Sequence, residues 1–208
     1  MFPIRDDIPS RTVPLLTWLV IVVSAVIFLF ETPEMIHRWG FVPARFWMGK
    51  DEINMITYAF LHGNIFHIFG NMYYLYIFGD NVEDRLGKIG FVSLFITSAI
   101  LGAFFHALAH PHSTAPLVGA SGAISGILAA YMIMYPNAGI YTAVWWWIYR
   151  VPAYYYIGLW IAIQYAYALS GVESGVAWWA HVGGFVGGIP FGIIGRLLKD
   201  DGGDYWDM

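Results

Sequence analysis

Cysteine is absent from the 208-residue sequence, and charged side chains make up only 12% of it. The lack of cysteine excludes disulfide bridges, thiolate metal sites and a cysteine nucleophile. The net charge is −4, and no basic tract of the kind that binds nucleic acid is present. The rest is strongly apolar, with 59% hydrophobic residues and a mean hydropathy of +0.60. This composition predicts a multi-pass protein of the lipid bilayer.

Six apolar runs are candidate membrane spans, because a helix needs about 20 apolar residues to cross a hydrocarbon core of about 30 Å. They comprise residues 14–30, 64–79, 89–108, 117–135, 153–169 and 178–198. The first run lacks a convincing cleavage site, so we expect a span there and not a signal peptide. The sequence predicts an all-α bundle of six transmembrane helices at 13–198, after a cytoplasmic segment at 1–12 and before an acidic cytoplasmic tail at 199–208.

The basic residues predict the orientation of this bundle, since Lys and Arg favour the cytoplasmic side. With six spans, both termini share one side, and most of the ten Lys and Arg residues fall there. That side carries Arg5, Arg11, Arg85, Lys88, Arg150, Arg196 and Lys199, and the other side carries Arg38, Arg45 and Lys50. We therefore expect a cell-membrane protein with both termini in the cytoplasm.

The first loop, residues 31–62, is too long for a simple connection. It contains Trp39, Phe41, Phe46 and Trp47, and aromatic residues of this kind favour the membrane interface. We expect a partly inserted structure on the outer leaflet. The alternative is an ordinary surface loop.

Ser121 lies at the start of the fourth span, with Gly119 before it and Gly122 and Gly126 after it. A serine in a membrane helix usually packs or bonds to its own backbone. Here the glycines strip side chains from around the hydroxyl and let another helix approach. The first turn of a helix also favours an anion. Ser121 is therefore a candidate nucleophile, with helix packing as the alternative.

His181 begins a glycine-rich stretch of the sixth span, where Gly183 with Gly187, and Gly184 with Gly188, form two small faces. An ionisable residue inside a span is a functional candidate by default. A neutral imidazole close to Ser121 would accept its proton and return it to a leaving group. A buried core histidine is the alternative. Glu173 is the nearest acidic residue, and we do not assign it to a triad.

His67 and Asn71 are four residues apart and so share one face of the second helix. Both can donate hydrogen bonds without formal charge, which suits an oxyanion hole completed by the Ser121 backbone N–H. His62 lies a turn earlier, off this face. A purely structural polar network is the alternative. Because the second, fourth and sixth spans all run inward, these donors, Ser121 and His181 are expected at one depth near the outer surface.

A third group of histidines, His106, His110 and His112, lies at the outer end of the third span. It suggests a metal transporter or metalloprotease as a competing function. No HExxH pattern and no neighbouring carboxylate accompany it, so we interpret it as an interfacial cluster and expect neither a metal site nor a cofactor.

Taken together, the Gly119–Ala120–Ser121–Gly122 stretch, His181 with its glycines, and His62, His67 and Asn71 resemble the rhomboid intramembrane serine proteases. The resemblance implies a Ser121–His181 dyad with oxyanion stabilisation from the positions of His67 and Asn71. Glu83 and Arg85 resemble the family's Glu-x-Arg element, which we interpret as a structural ion pair. Ser125 departs from the family, where an aromatic residue at this position packs on the imidazole. An aromatic residue of the fifth helix is expected to do so here.

The resemblance implies an endopeptidase whose substrates are single-pass transmembrane proteins, cut after a small residue. Candidates for a lid and a lateral gate are the loop 170–177 and the fifth helix with Tyr154, Tyr155, Tyr156 and Trp160, although an aromatic belt would show the same residues. A non-proteolytic chaperone or retention factor of the same fold is the competing function. The sequence does not indicate the oligomeric state.

Overall fold

The computed structural model describes residues 2–172 and 175–198. Glu173 and the acidic tail at 199–208, both named above, lie outside the described residues. The chain is mostly helical, and helices cover all six of the apolar runs. In chain order the α-helices are α1 (Leu15–Phe30), α2 (Pro33–Trp39), α3 (Pro43–Phe46), α4 (Asn54–Thr57), α5 (Ile65–Ala109), α6 (Ser121–Met134), α7 (Ala153–Ser170) and α8 (Trp178–Leu197). The three short helices α2, α3 and α4 lie in the first loop and not in an apolar run.

By length and composition, one described helix, α5, is long and apolar enough to cross a membrane. Two others, α1 and α6, are apolar but shorter. A helical protein with a candidate span is therefore what the structure supports.

The helix α5 consists of two segments that run in opposite directions. Gly87 interrupts it with a φ of 67°, a left-handed conformation that glycine adopts without strain. Before the break, α5 runs from His67 beside the start of α6 to Phe78 beside Tyr131 near its end. After the break it returns, because Leu86 lies against α8 near Gly195 while Gly102 lies beside Gly122. The second and third predicted spans thus form one helical hairpin.

A three-stranded antiparallel sheet shows that the all-α prediction was wrong. Its strands are β1 (Phe2–Arg5), β2 (Gly139–Val144) and β3 (Trp147–Pro152), in the order β1-β2-β3. The hairpin of β2 and β3 is rich in Ile, Val, Thr, Tyr and Trp, which fit a pleated surface better than a helix. Strands of only 4 to 6 residues do not form the long apolar runs that indicate membrane spans.

The segment before α1 is held by hydrogen bonds and an ion pair to β2, β3 and the first segment of α5. Asp7 accepts a hydrogen bond from the Gly139 backbone N–H at 2.7 Å and forms an ion pair with Arg150 at 2.8 Å. Asp84 accepts from the Arg11 backbone at 3.0 Å. The predicted N-terminal segment is therefore an ordered part of the fold.

Glu83 and Arg85 cap two different helices, roles that the sequence did not predict. The Glu83 carboxylate accepts hydrogen bonds from the backbone N–H groups of Leu16 and Thr17, at 3.0 and 2.8 Å, at the start of α1. The Arg85 guanidinium donates to the carbonyls of Gly195 and Leu198, at 2.8 and 2.6 Å, at the end of α8. Each charge lies at the helix end whose dipole it complements.

The first loop is folded onto the helices near the start of α6 and the end of α5. Phe41 is fully buried and exchanges two backbone hydrogen bonds with Leu117, of 3.1 and 2.7 Å, just before α6. The Trp47 indole N–H donates to the Ala107 carbonyl at 3.2 Å. An ordinary surface loop would lack these contacts, whereas insertion into the leaflet stays a prediction.

We predict that the stability of the protein falls as the pH rises, because of Asp6 in the segment before α1. Burial raises the pKa of the Asp6 carboxyl from 3.8 to about 7, against the opposing hydrogen bond that Tyr131 donates to it. The folded protein therefore holds a proton there that the unfolded chain releases, so this stability is present below about pH 4 and is lost as the pH rises through about 7. Thermal unfolding in detergent between pH 4 and 8 measures it.

In the variant Asp6→Asn this part of the pH dependence should disappear. Glu52→Gln, which changes an exposed acidic residue of the first loop, is the control and should keep it. An unchanged slope in Asp6→Asn would contradict the assignment.

Candidate active site

Ser121 is the first residue of α6, directly after a turn that only glycine can make. Gly119 has a φ of +117°, and a Cβ at this position would lie 2.5 Å from the His67 ring. The imidazole of His67 therefore packs on the backbone two residues before Ser121. Gly119 is required here both for its conformation and for this close approach.

Asn71 lies beside the same turn. Its Nδ2 is 3.4 Å from the position that a Gly119 Cβ would take, and its side chain is 7% exposed. Within the described part of the chain this buried Nδ2 has no hydrogen-bond partner. His67 and Asn71 thus bring donor groups to the backbone that leads into Ser121, and the Asn71 donor is unused.

The helices α6 and α8 touch backbone to backbone. A Cβ on Gly184 would overlap the Gly122 carbonyl, and a Cβ on Gly188 would overlap the Gly126 carbonyl. The two contacts are one helical turn apart on each helix, so α6 and α8 run in the same direction. This register brings Ser121 and His181, which lie near the same ends of the two helices, to the same level.

The other glycine face of α8 packs against the second segment of α5. A Cβ on Gly183 would overlap the Leu101 carbonyl, and one on Gly187 would lie 3.1 Å from the Ser98 Cα. Gly183 and Gly187 therefore let α5 pack closely against α8, on a face about 100° around the helix from the face that meets α6.

The His181 ring is buried, at 8% exposure, and is held by residues of two helices. Its Nδ1 lies 2.8 Å from the Gln164 Oε1 of α7. The Trp160 ring, also of α7, lies 5.8 Å from the imidazole at 31°, and the Trp178 ring meets it edge-on at 6.0 Å. An aromatic residue of the fifth predicted span thus packs on the imidazole, as expected from the departure at Ser125.

No direct hydrogen bond joins the Ser121 hydroxyl to His181 among the described residues. Nucleophile and base are often farther apart before a substrate draws them together. The hydroxyl of Ser125 donates to the Ser121 carbonyl at 2.6 Å. The small residue at this position therefore bonds within its own helix, and Trp160 and Gln164 of α7 contact the imidazole instead.

His62 lies behind His67. Its side chain is fully buried, its ring centroid is 5.2 Å from that of His67, and its backbone N–H donates to Glu31 at 3.0 Å. Burial, together with the neighbouring His67, lowers the pKa of His62 to about 4, so the ring is neutral at physiological pH. This placement suits a residue that supports His67.

The histidines at the end of α5 form a pair, with the rings of His106 and His110 at 4.8 Å. Within residues 2–172 and 175–198, no group of three or more His, Asp or Glu side chains is arranged to hold a metal ion.

Gln164 and Tyr58 were not predicted from the sequence to be part of the site. The buried Tyr58 hydroxyl donates to the Ala99 carbonyl at 2.9 Å and lies against both Gly102 and Gly122. Nothing in the sequence indicates this contact. Gln164 had a usable signal, since it is a polar residue within an apolar run and lies four residues after Trp160.

Comparison with known proteins identifies the relatives of this chain. The sequence model of the rhomboid domain matches residues 49–197. Rhomboid protein 1, mitochondrial, of Saccharomyces cerevisiae is 30% identical over 181 residues, which are 81% of this chain and 49% of the yeast protein. RHOMBOID-like protein 12, mitochondrial, of Arabidopsis thaliana is 27% identical over 62% of this chain and 42% of its own length.

A third relative is the presenilin-associated rhomboid-like protein, mitochondrial, of Mus musculus, which is 31% identical over 40% of this chain and 22% of its own length. The chain therefore spans about half the length, or less, of these curated relatives.

The glycine contact gives a prediction. Gly184→Ala places a methyl group on the Gly122 carbonyl, so α6 and α8 must separate. We expect a loss of about 1–3 kcal/mol of stability from overpacking, seen as a lower Tm in detergent. Gly158→Ala in α7 is the matched control, because nothing lies within 4 Å of its Cβ position and alanine favours a helix. Equal Tm values for the two variants would refute the tight contact.

Proposed function

The chain belongs to the rhomboid family, and we propose that it is a serine endopeptidase that cleaves other membrane-spanning proteins within the bilayer. The observation that carries the proposal is the convergence of Ser121, His181, His67 and Asn71 at one level of the helix bundle. They come from three different helices, and two glycine contacts fix the register between α6 and α8.

We further propose that six helical segments span the membrane: α1, the two segments of α5, α6, α7 and α8. The first turns of α5, α6 and α8 then lie near the outer face, and β2 and β3 lie on the inner half. Both termini are cytoplasmic in this arrangement, from the distribution of basic residues. The names of the relatives place those proteins in mitochondria and lend no support to a location of this chain in the cell membrane.

In this mechanism the Ser121 hydroxyl attacks the carbonyl carbon of the scissile peptide bond. His181 accepts the hydroxyl proton as general base and donates it to the leaving amine, which leaves an acyl-enzyme on Ser121. Water then attacks this ester, again with His181 as base. Both residues lie at the level where polar groups of α5 line the bundle, which is where a water-filled cavity is compatible with the bilayer.

The oxyanion that forms in each step needs hydrogen-bond donors. The backbone N–H of Ser121 is one of the first amides of α6, which have no partner within the helix. The unpaired Nδ2 of Asn71 and the ring of His67 lie on the same side of the Gly119 turn. All three donors are neutral, so they stabilise developing negative charge without burying an ion in lipid.

The substrates in this proposal are single-pass transmembrane proteins with a small residue before the cleaved bond. A helix must unwind locally before its amide can reach Ser121, and a nearby polar cavity favours such unwinding. A non-proteolytic chaperone of the same fold is the competing function. It would bind the same substrates but leave them intact.

Two variants test the dyad. Ser121→Ala and His181→Ala should each abolish cleavage of a transmembrane substrate in reconstituted vesicles, while Tm and helical content stay close to those of the wild type. A fluorophosphonate should label the wild type, but not Ser121→Ala. Turnover by Ser121→Ala near the wild-type rate would contradict the nucleophile, and an intact substrate with the wild type would favour the chaperone.

A third variant tests the oxyanion donor. Asn71→Ala should lower kcat by about 10- to 10³-fold, the range for removal of one such donor, with little change in KM. Asn71→Asp should not restore activity, because a carboxylate accepts where a donor is needed. Wild-type kcat in Asn71→Ala would exclude Asn71 from the oxyanion hole.

A further inference from the structure

We propose that Gln164 is the positioning residue of the dyad: its amide oxygen accepts the Nδ1–H of His181 and so leaves Nε2 as the proton acceptor. This inference rests on the proposed function and adds a third member to it. Gln164 would play the part that a buried carboxylate plays in Ser-His-Asp triads, but without a charge.

The geometry supports a specific bond. The Gln164 Oε1 and the His181 Nδ1 are 2.8 Å apart, and the two side chains are only 7% and 8% exposed. A neutral imidazole carries one proton, on either of its two nitrogens. An amide oxygen at Nδ1 selects the form with the proton there, since the other form would place two lone pairs against each other in a site without bulk water.

The orientation of the amide decides the chemistry. With its oxygen towards Nδ1, as the structure has it, Nε2 keeps a lone pair and can accept the Ser121 proton. If the Gln164 amide were turned, its NH₂ group would donate to Nδ1, and Nε2 would carry the proton instead. His181 could then not act as base through Nε2, so the direction of this one hydrogen bond separates an active from an inactive dyad.

The position of Gln164 is fixed by the helix that carries it. Trp160, one turn earlier on the same face of α7, packs on the imidazole, and Tyr156, one turn earlier again, bonds to the Tyr74 hydroxyl of α5 at 2.8 Å. The indole of Trp160 thus fixes the plane of the His181 ring, and the amide of Gln164 fixes the rotation of the ring within that plane.

A neutral acceptor also suits the surroundings. A carboxylate at this depth would be costly to bury unless it were paired, whereas an amide costs much less. The difference in charge between an amide and a carboxylate gives a test of the contact with Nδ1. In Gln164→Glu, a negative charge next to Nδ1 would favour the imidazolium, so the rate should depend on pH in a different range.

The test measures the rate of fluorophosphonate labelling of Ser121 against pH in the full-length protein. Gln164→Met, which keeps the volume and removes the acceptor, should lower the labelling rate and kcat by about 10- to 10²-fold, as a fraction of the general-base contribution. Gln164→Glu should restore much of the rate and move its pH midpoint upward by about 1 or more. Tyr149→Phe, at an exposed position of β3, is the control and should leave rate and midpoint unchanged.

A readout without catalysis uses ¹⁵N-histidine NMR of the Ser121→Ala protein, with His181→Ala to assign the resonance. We expect His181 to be protonated at Nδ1 in the Ser121→Ala background and to become a mixture of both forms when Gln164→Met is added. Protonation at Nε2 in the background protein, or no change on adding Gln164→Met, would overturn the inference.

The two proposals fail in different ways. If the wild type neither cleaves a substrate nor reacts with the fluorophosphonate, the proposed function fails while the NMR result still reports on Gln164. If Ser121 and His181 are required but Gln164→Met has the wild-type rate and pH profile, only the positioning role is wrong.

Discussion

The contact between the backbones of α6 and α8 is the constraint on which the rest of the site depends. Two glycines on each helix remove the side chains that would keep the axes apart, and the carbonyls of Gly122 and Gly126 fill the space. In lipid, apolar side chains gain little free energy by leaving the solvent, so close packing of this kind must drive the association of α6 and α8. The same contact sets the register between Ser121 and His181, and therefore stability and chemistry share one feature of the sequence.

Neutral polar groups and charged groups lie in different parts of the protein. Neutral donors and acceptors, namely a hydroxyl, two imidazoles and two amides, gather where α5, α6, α7 and α8 meet. Charged groups lie elsewhere: Glu83 caps α1, Arg85 caps α8, and Asp7 before α1 pairs with Arg150 of β3. This division follows from the cost of an ion in hydrocarbon, and it fits the proposal that an amide rather than a carboxylate supports His181.

The long helices and the convergence of the site could be predicted because both follow from one-dimensional signals, namely apolar runs and polar residues within them. The sheet could not, because β1 and β2 are separated by more than 130 residues and each is only a few residues long. The caps that Glu83 and Arg85 form were not predicted for the same reason: their partners, Thr17 and Gly195, are neighbours of these residues only in the folded chain. Gln164 was missed although its signal was the one that identified His181.

The placement of α7 has a consequence for how a substrate would enter. At its start α7 is tied to the chain after α6, through Ala153 to Ala138 at 2.9 Å, and one turn later Tyr156 bonds to α5. Gln164 lies about 12 Å farther along the helix axis, at 1.5 Å per residue. If α7 tilts outward as a lateral gate, these inner contacts act as the pivot and the Gln164 end moves most. Opening the gate would then break the bond to His181, so the general base would be correctly protonated only after α7 has closed behind the substrate.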